Sequence, residues 1–196
     1  MEFSCDIQAS IESYKRQWET IPGLVKIQED LDRYDMVIKQ TKPEVLIECG
    51  THKGVSASWF AERIPSVISI DIDDIVDEEL REHNQITWII GSSTNADIVN
   101  TVTDLIQNRT TMVILDSDHS TYHVLNELEI YTEMTSPGQY LIVEDGICRY
   151  VSTPVTGNGP LEAIETFFPK HGWERDTNIE GMFPATHHLG GWWLKN

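Results

Sequence analysis

The sequence predicts an α/β fold, a doubly wound and mostly parallel sheet. Three observations carry this. Short apolar runs alternate five times with helix-like segments, and a run such as Val113–Leu115, apolar throughout, suits a strand buried on both faces. The first run leads straight into a glycine turn, Gly50-Thr51-His52-Lys53-Gly54. Two later runs, Met112–Asp116 and Gln139–Asp145, both end in carboxylates.

In chain order, Cys5–Thr20 is expected to be a helix, with Ile7, Ile11, Tyr14 and Trp18 forming one apolar stripe that packs on the domain. Ile21-Pro22-Gly23 breaks that pattern. Asp30–Thr41 reads as a second helix with Leu31, Tyr34, Met36, Val37 and Ile38 apolar, and Lys42-Pro43 ends it. Glu44–Glu48 is a strand and Val55–Arg63 a helix, so strand, glycine turn and helix follow one another as at the nucleotide site of a doubly wound fold. The glycine spacing is neither the dinucleotide Gly-x-Gly-x-x-Gly nor a P-loop. An ordinary strand-to-helix turn remains the alternative. Val67–Ile72 is the next strand. Asp71 at its end stands 21 residues after Gly50, near the roughly 20 that separate a glycine turn from its ribose-binding acid. Asp73, Asp74, Asp77, Glu78 and Glu79 read as solvated surface.

Ile86–Ile90 is the third strand, followed by Gly91-Ser92-Ser93-Thr94. These hydroxyls are expected to cap the helix Asp97–Gln107 or to contact a ligand's base. Met112–Asp116, the helix Thr121–Glu133, the turn Ser136-Pro137-Gly138 and Gln139–Asp145 form strand, helix and strand. Gly146–Gly159 then reads as a loop leaving the carboxyl edge of the sheet. Pro160 opens a helix with Leu161, Ile164, Phe167 and Phe168 on one face. Trp173–Thr177 and Trp192–Lys195 are expected as antiparallel edge strands.

A crossover helix makes the strands ending at Asp116 and Asp145 parallel. If they are neighbours, their tips bring Asp116, Glu144 and Asp145 together where open α/β sheets bind ligands. Crowded carboxylates repel unless protonated or neutralised, and an all-oxygen set favours a hard cation such as Mg²⁺. His119 follows Asp116 by three residues, as a base or as a hydrogen-bond partner. Asp118 is expected to cap the Thr121 helix and His123 to be structural. His187 and His188 read as strand neighbours, so at most one faces the site. Cys49 is a small buried filler.

Composition sets outer bounds. A chain of 196 residues, 40% hydrophobic, is expected to be one domain. No stretch approaches the roughly 18 apolar residues of a membrane span. The acidic N-terminus lacks the basic start and apolar core of a signal peptide. Cys5, Cys49 and Cys148 are odd in number and scattered, making neither a disulfide framework nor a CxxC metal site, so the cytoplasm is expected. The formal charge of −18 argues against nucleic-acid partners.

Ile47–Ser56 resembles the first motif of class I S-adenosylmethionine methyltransferases. With Val113–His119, Ser136-Pro137-Gly138 and Val143-Glu144-Asp145, it is similar to the cephalosporin hydroxylase-like family, which includes rhamnosyl O-methyltransferases. The likeness runs from about Trp18 to the C-terminus. The resemblance implies a seven-stranded Rossmann-like sheet whose last hairpin is antiparallel. It implies S-adenosylmethionine contacts at Glu48, Gly50 and Gly54 with Asp71 on the ribose. We extend the cofactor site to Thr51, Ser56, Ser92, Ser93 and Asp116. It also implies Mg²⁺ (or Mn²⁺) ligands at Asp116, Glu144 and Asp145, and His119 as the candidate base. The expected reaction is metal-assisted O-methylation of a sugar or small natural product, in a possible homo-oligomer. The alternatives are a nicotinamide-dependent oxidoreductase, an oxygenase using His119, Asp116 and His187 or His188, and an inactive binding module of the same fold.

Overall fold

The computed structural model describes residues 1–16, 26–151 and 158–196. Among these residues there are seven strands: β1 (Val45–Cys49), β2 (Ser66–Asp71), β3 (Ile86–Ile90), β4 (Thr111–Leu115), β5 (Tyr140–Val143), β6 (Glu174–Arg175) and β7 (Trp192–Leu194). They form one sheet in the order β3-β2-β1-β4-β5-β7-β6. β1 to β5 are mutually parallel, and β7 runs antiparallel to both β5 and β6. The helices are α1 (Ile7–Arg16), α2 (Gln28–Thr41), α3 (Val55–Ala61), α4 (Ala96–Ile106), α5 (Thr121–Met134), α6 (Gly159–Phe167) and the short α7 (Thr177–Glu180).

Every residue of β1, β4 and β5 is buried, as parallel strands covered on both faces require. Side-chain alternation sorts them into two cores. Ile47, Val113, Leu115 and Leu141 meet Val124 and Leu128 of α5 and Ile164 of α6 on one face. Leu46, Met112, Ile114 and Ile142 meet Tyr34 and Val37 of α2 and Phe60 of α3 on the other. The reversal of strand order at β1 and β4 opens a crevice at their carboxyl ends, the place where such sheets bind ligands.

Gly50 fixes that crevice. Its φ is +101°, and a Cβ there would stand 1.9 Å from the Asp116 carbonyl oxygen. The Asp116 N–H donates to the Cys49 carbonyl and the Gly50 N–H to the Ile70 carbonyl. The tips of β2, β1 and β4 are thereby tied together, and glycine is the residue that allows so close an approach.

The 176–191 segment is moored to α2 by a buried guanidinium. Arg33 donates to Asp30 and to the carbonyls of Ile179, Glu180, Phe183 and Ala185. Asp30 also accepts from the Thr186 hydroxyl and the His187 N–H. Two close approaches lock this segment against the end of β5: a Cβ at Gly146 would meet the Leu189 carbonyl at 2.1 Å, and one at Gly191 the Val143 carbonyl at 2.0 Å.

Several expectations differ from the structure. α4 is capped by Asn95, whose side chain accepts from Asp97 and Ile98, and not by the preceding hydroxyls. α5 is capped by Ser120, while Asp118 accepts from the Ser120 N–H one step earlier. Gly146–Tyr150 is a 3₁₀ turn rather than irregular loop. Of the two expected edge strands, β7 lies inside the sheet and the two-residue β6 is at its edge. His187 and His188 lie in a loop, so strand alternation does not govern them. The end of the expected Cys5–Thr20 helix, Trp18, the Ile21-Pro22-Gly23 break and 152–157 of the expected loop lie outside the described residues.

Gly50→Ala is expected to unfold the chain or cost more than about 3 kcal/mol, since the added methyl collides with backbone. Gly138→Ala, at φ +75° with nothing within 4 Å, is expected to cost only about 1 kcal/mol. Urea unfolding of the two variants checks the contrast.

Candidate active site

A cavity of about 950 Å³ opens at the carboxyl edge of β1, β2 and β4. One wall carries Gly50, Thr51, Ser56, Asp71, Ser92 and Ser93; the other carries Lys26, Asp116, His119, Glu144 and Asp145.

On the first wall, each Asp71 oxygen accepts one backbone bond, Oδ2 from His52 at 2.7 Å and Oδ1 from Asp73 at 3.0 Å. The Thr51 and Ser69 hydroxyls are 2.7 Å apart, and Ser69 donates to Glu48 at 2.6 Å. Glu48 is wholly buried beneath this wall, where loss of solvent pushes its carboxyl up against the opposing Lys26 charge. Gly54, at φ +85°, opens α3 and packs against Trp88 and Val76. Neither Glu48 nor Gly54 reaches the cavity surface. The Ser93 hydroxyl is committed to Glu127 at 2.6 Å, and that same Glu127 oxygen accepts from Ser117. His123 joins this group 3.3 Å from Glu127.

The second wall is a chain of alternating charges. Lys26 Nζ lies 2.6 Å from both Glu144 oxygens and 3.0 Å from Asp116 Oδ2. The Tyr34 hydroxyl donates to Glu144 Oε1 at 2.6 Å. His119 Nε2 stands 3.4 Å from Asp116 Oδ1 and 3.6 Å from Asp145 Oδ2. The other ring nitrogen of His119 lies 3.9 Å from Cys148 Sγ. Asp145 reaches His119 from a left-handed backbone, φ 55°, an uncommon conformation for a residue with a Cβ. His188, wholly buried, sits 3.6 Å from Glu144 and 3.7 Å from Asp30.

These contacts set the ionisation. Burial works against charge on Asp116, but Lys26 and His119 outweigh it and hold the carboxyl below its usual range. Burial also opposes charge on Lys26, and the Asp116 and Glu144 carboxylates overcome it and push the ammonium up. His119 is driven to about 11: burial opposes, and its bonds to Asp116 and Cys148 and the Asp145 charge prevail. Burial and the Asp116 charge push Glu144 up against its Lys26 contact. Burial takes His188 the other way, to about 4, despite Asp30.

The expected carboxylate triad thus shares one pocket, with cations interleaved. Lys26 stands between Asp116 and Glu144, and His119 between Asp116 and Asp145. Lys26 acts as a stand-in ion, because its ammonium shows that Asp116 and Glu144 are disposed to share one cation, so the residues fit a hard metal ion. Among the described residues, His119, Asp145 and Cys148 have ligand atoms all within 4.8 Å of one another. An oxygenase triad is not assembled: His119 attaches to Asp116 and Asp145, His188 to Glu144 and Asp30, and His187 to Ser13. Sequence reasoning missed Lys26, a lone lysine among apolar neighbours, and missed the Tyr34 hydroxyl, which was hidden in an apolar stripe.

A seven-stranded sheet with β7 reversed between β5 and β6, a glycine-turn cavity and carboxylates on the neighbouring tips give the chain a class I methyltransferase fold. The chain belongs to the rhamnosyl O-methyltransferase/CmcI family, whose model matches residues 11–196. It is 31% identical over 180 residues to the rhamnosyl O-methyltransferase of Mycobacterium tuberculosis, covering 85% of this chain and 73% of that one. It is 30% identical over 190 residues to the Mycobacterium leprae protein of the same name, covering 91% and 82%. Among solved structures, CmcI with Mg and S-adenosylmethionine superposes with TM-score 0.64 at 17% identity, covering 88% of this chain and 73% of that one. MycE with Mg, S-adenosylhomocysteine and mycinamycin VI gives 0.57 at 17% identity, covering 82% and 44%. At these identities the structures share the fold.

The depressed His188 makes a pH prediction. Its folded value of about 4 lies below the ordinary 6.5. As pH falls below 6.5 the unfolded chain takes up a proton that the folded ring refuses, so stability drops until about pH 4. Between pH 7 and 5 the wild type is expected to lose about 2 kcal/mol more unfolding free energy than His188→Asn. Urea titrations at the two pH values measure this, and equal losses contradict it.

Proposed function

We propose that this chain transfers the methyl of S-adenosylmethionine to a hydroxyl of a sugar or small natural product, assisted by Mg²⁺ or Mn²⁺. One observation carries the reading. Asp116 belongs to both walls, because its backbone closes against the glycine turn while its carboxylate enters the acidic cluster. A donor lying on Gly50 is thereby beside the groups that would hold an acceptor. Relatives named rhamnosyl O-methyltransferases support a sugar hydroxyl as acceptor. The ligands named with CmcI and MycE support the donor and the ion.

The donor wall suits a nucleoside. Each Asp71 oxygen spends one acceptor position on backbone and keeps another for the ribose hydroxyl pair. Glu48 acts through Ser69 on Thr51 from beneath the wall. Ser92 and Ser93 also line this wall and would contact the base. A cationic sulfonium gains from the acidic wall opposite.

Asp116, Glu144 and Asp145 would hold the divalent ion, which supplies Lewis acidity that lowers the pKa of a coordinated hydroxyl. His119 is the base. The carbon–sulfur bond breaks as the oxygen–methyl bond forms, and the hydroxyl proton goes to His119 Nε2. In the ion-free cluster this nitrogen is already protonated, since Asp116 and Asp145 hold the ring at about 11. With those two carboxylates engaged, only the Cys148 contact would hold the ring up against burial, and it would fall toward its ordinary value near 6.5 and could accept a proton at neutral pH. The cluster thus makes His119 competent only when its carboxylates are engaged. We read the whole chain as one such domain. Its three free cysteines suit a reducing cytoplasm.

Calorimetric titration with S-adenosylmethionine tests the donor, and no binding at millimolar ligand ends the reading. His119→Ala is expected to lower methyl transfer to a rhamnose-bearing acceptor by roughly 10²-fold or more. Its affinity for S-adenosylmethionine should stay within a few-fold, because His119 belongs to the opposite wall. Transfer from isotopically labelled donor measures the rate.

A further inference from the structure

Lys26 is charged, almost wholly buried and aimed at the very oxygens assigned to the ion. Its side chain is 3% exposed. Its ammonium takes both oxygens of Glu144 and Oδ2 of Asp116. No other described lysine or arginine is ion-paired to these carboxylates. The other cationic group at the cluster, His119, faces the opposite oxygen of Asp116. Glu144, 2% exposed, has its remaining neighbours in the Tyr34 hydroxyl and the neutral His188 ring. A divalent ion and this ammonium therefore draw on the same lone pairs. Two cations crowded onto one pair of carboxylates in a water-poor pocket repel strongly.

We propose that Lys26 is a tethered competitor for the divalent ion: it neutralises Asp116 and Glu144 in the empty site, and the ion enters by displacing it. The inference rests on the metal reading above and deepens it. An unpaired Glu144 is costly at this depth, and an internal ammonium supplies the missing charge until the ion arrives. Loading then exchanges one cation for another, so the carboxylates are never left bare. Because Lys26 stands two residues before α2, which carries Tyr34, displacement links ion occupancy to the entry of that helix. Binding of ion and docking of Lys26 must oppose one another equally in both directions.

Mn²⁺ titration of the full chain, followed by electron paramagnetic resonance without S-adenosylmethionine, tests this. Lys26→Met is expected to bind Mn²⁺ at least tenfold more tightly than wild type, and Lys26→Arg, which keeps the charge, no more tightly than wild type. If wild type binds and Lys26→Met binds equally or more weakly, the competition is overturned while the metal reading stands. If neither binds, both fall. A second measurement needs no variant. Acetylation of Lys26 in wild type, read by peptide mass spectrometry, is expected to rise several-fold when Mg²⁺ replaces chelator. Lys39, 75% exposed, serves as the unchanging reference. Unchanged Lys26 labelling overturns the proposal.

Discussion

The structure around the pocket depends on the neutralisation of one buried carboxylate. Glu144 lies at the tip of β5 with almost no access to water, where an uncompensated charge costs several kcal/mol. Lys26, two residues before α2, and Tyr34, in its second turn, satisfy it. That demand draws α2 against the carboxyl edge of the sheet. Arg33 on the same helix then moors the 176–191 segment. His188 closes the back of the site as a consequence. The polar machinery and the packing of α2 are therefore one arrangement, since the helix that buries Tyr34 and Val37 also delivers the counter-charge.

A second constraint is backbone proximity. The contact between Gly50 and the Asp116 carbonyl forces the glycine turn and the acidic cluster to share a border. Methyl transfer needs donor and acceptor in line about 3–3.5 Å apart, and on the proposed reading this border would set that distance through main chain rather than through flexible side chains. Asp145, in its left-handed conformation, bends the chain after β5 so that its carboxylate returns to His119. Strain of this kind persists where surrounding contacts hold it, here the His188 ring beside the Asp145 N–H and the mooring of 176–191.

Much of this was legible in the sequence, for identifiable reasons. β1, β4 and β5 announced themselves because burial on both faces demands uniform apolarity. That Asp116, Glu144 and Asp145 share one pocket was legible because parallel neighbours must align their tips. The last strands were less legible: β6 pairs through only Glu174 and Arg175, too short for any period to show, so the interior place of β7 could not be read. Caps were misplaced because Ser92, Ser93 and Asp118 compete with Asn95 and Ser120 for the same role, and local geometry decides. Lys26 was illegible. Its partners lie 90 and 118 residues away in sequence, and a lone lysine carries no pattern. The upward shift of His119 was equally hidden, because it follows from charges that only the fold assembles.

The central claim is that the acidic tips of β4 and β5 hold a divalent ion beside a methyl-donor cavity. The most direct measurement is an anomalous difference map at the manganese edge, from crystals grown with Mn²⁺ and S-adenosylhomocysteine. The account predicts one strong peak about 2.1 Å from oxygens of Asp116, Glu144 and Asp145, with the nucleoside against Gly50 and Asp71. A peak held by other residues, or none while the nucleoside is well resolved, contradicts it.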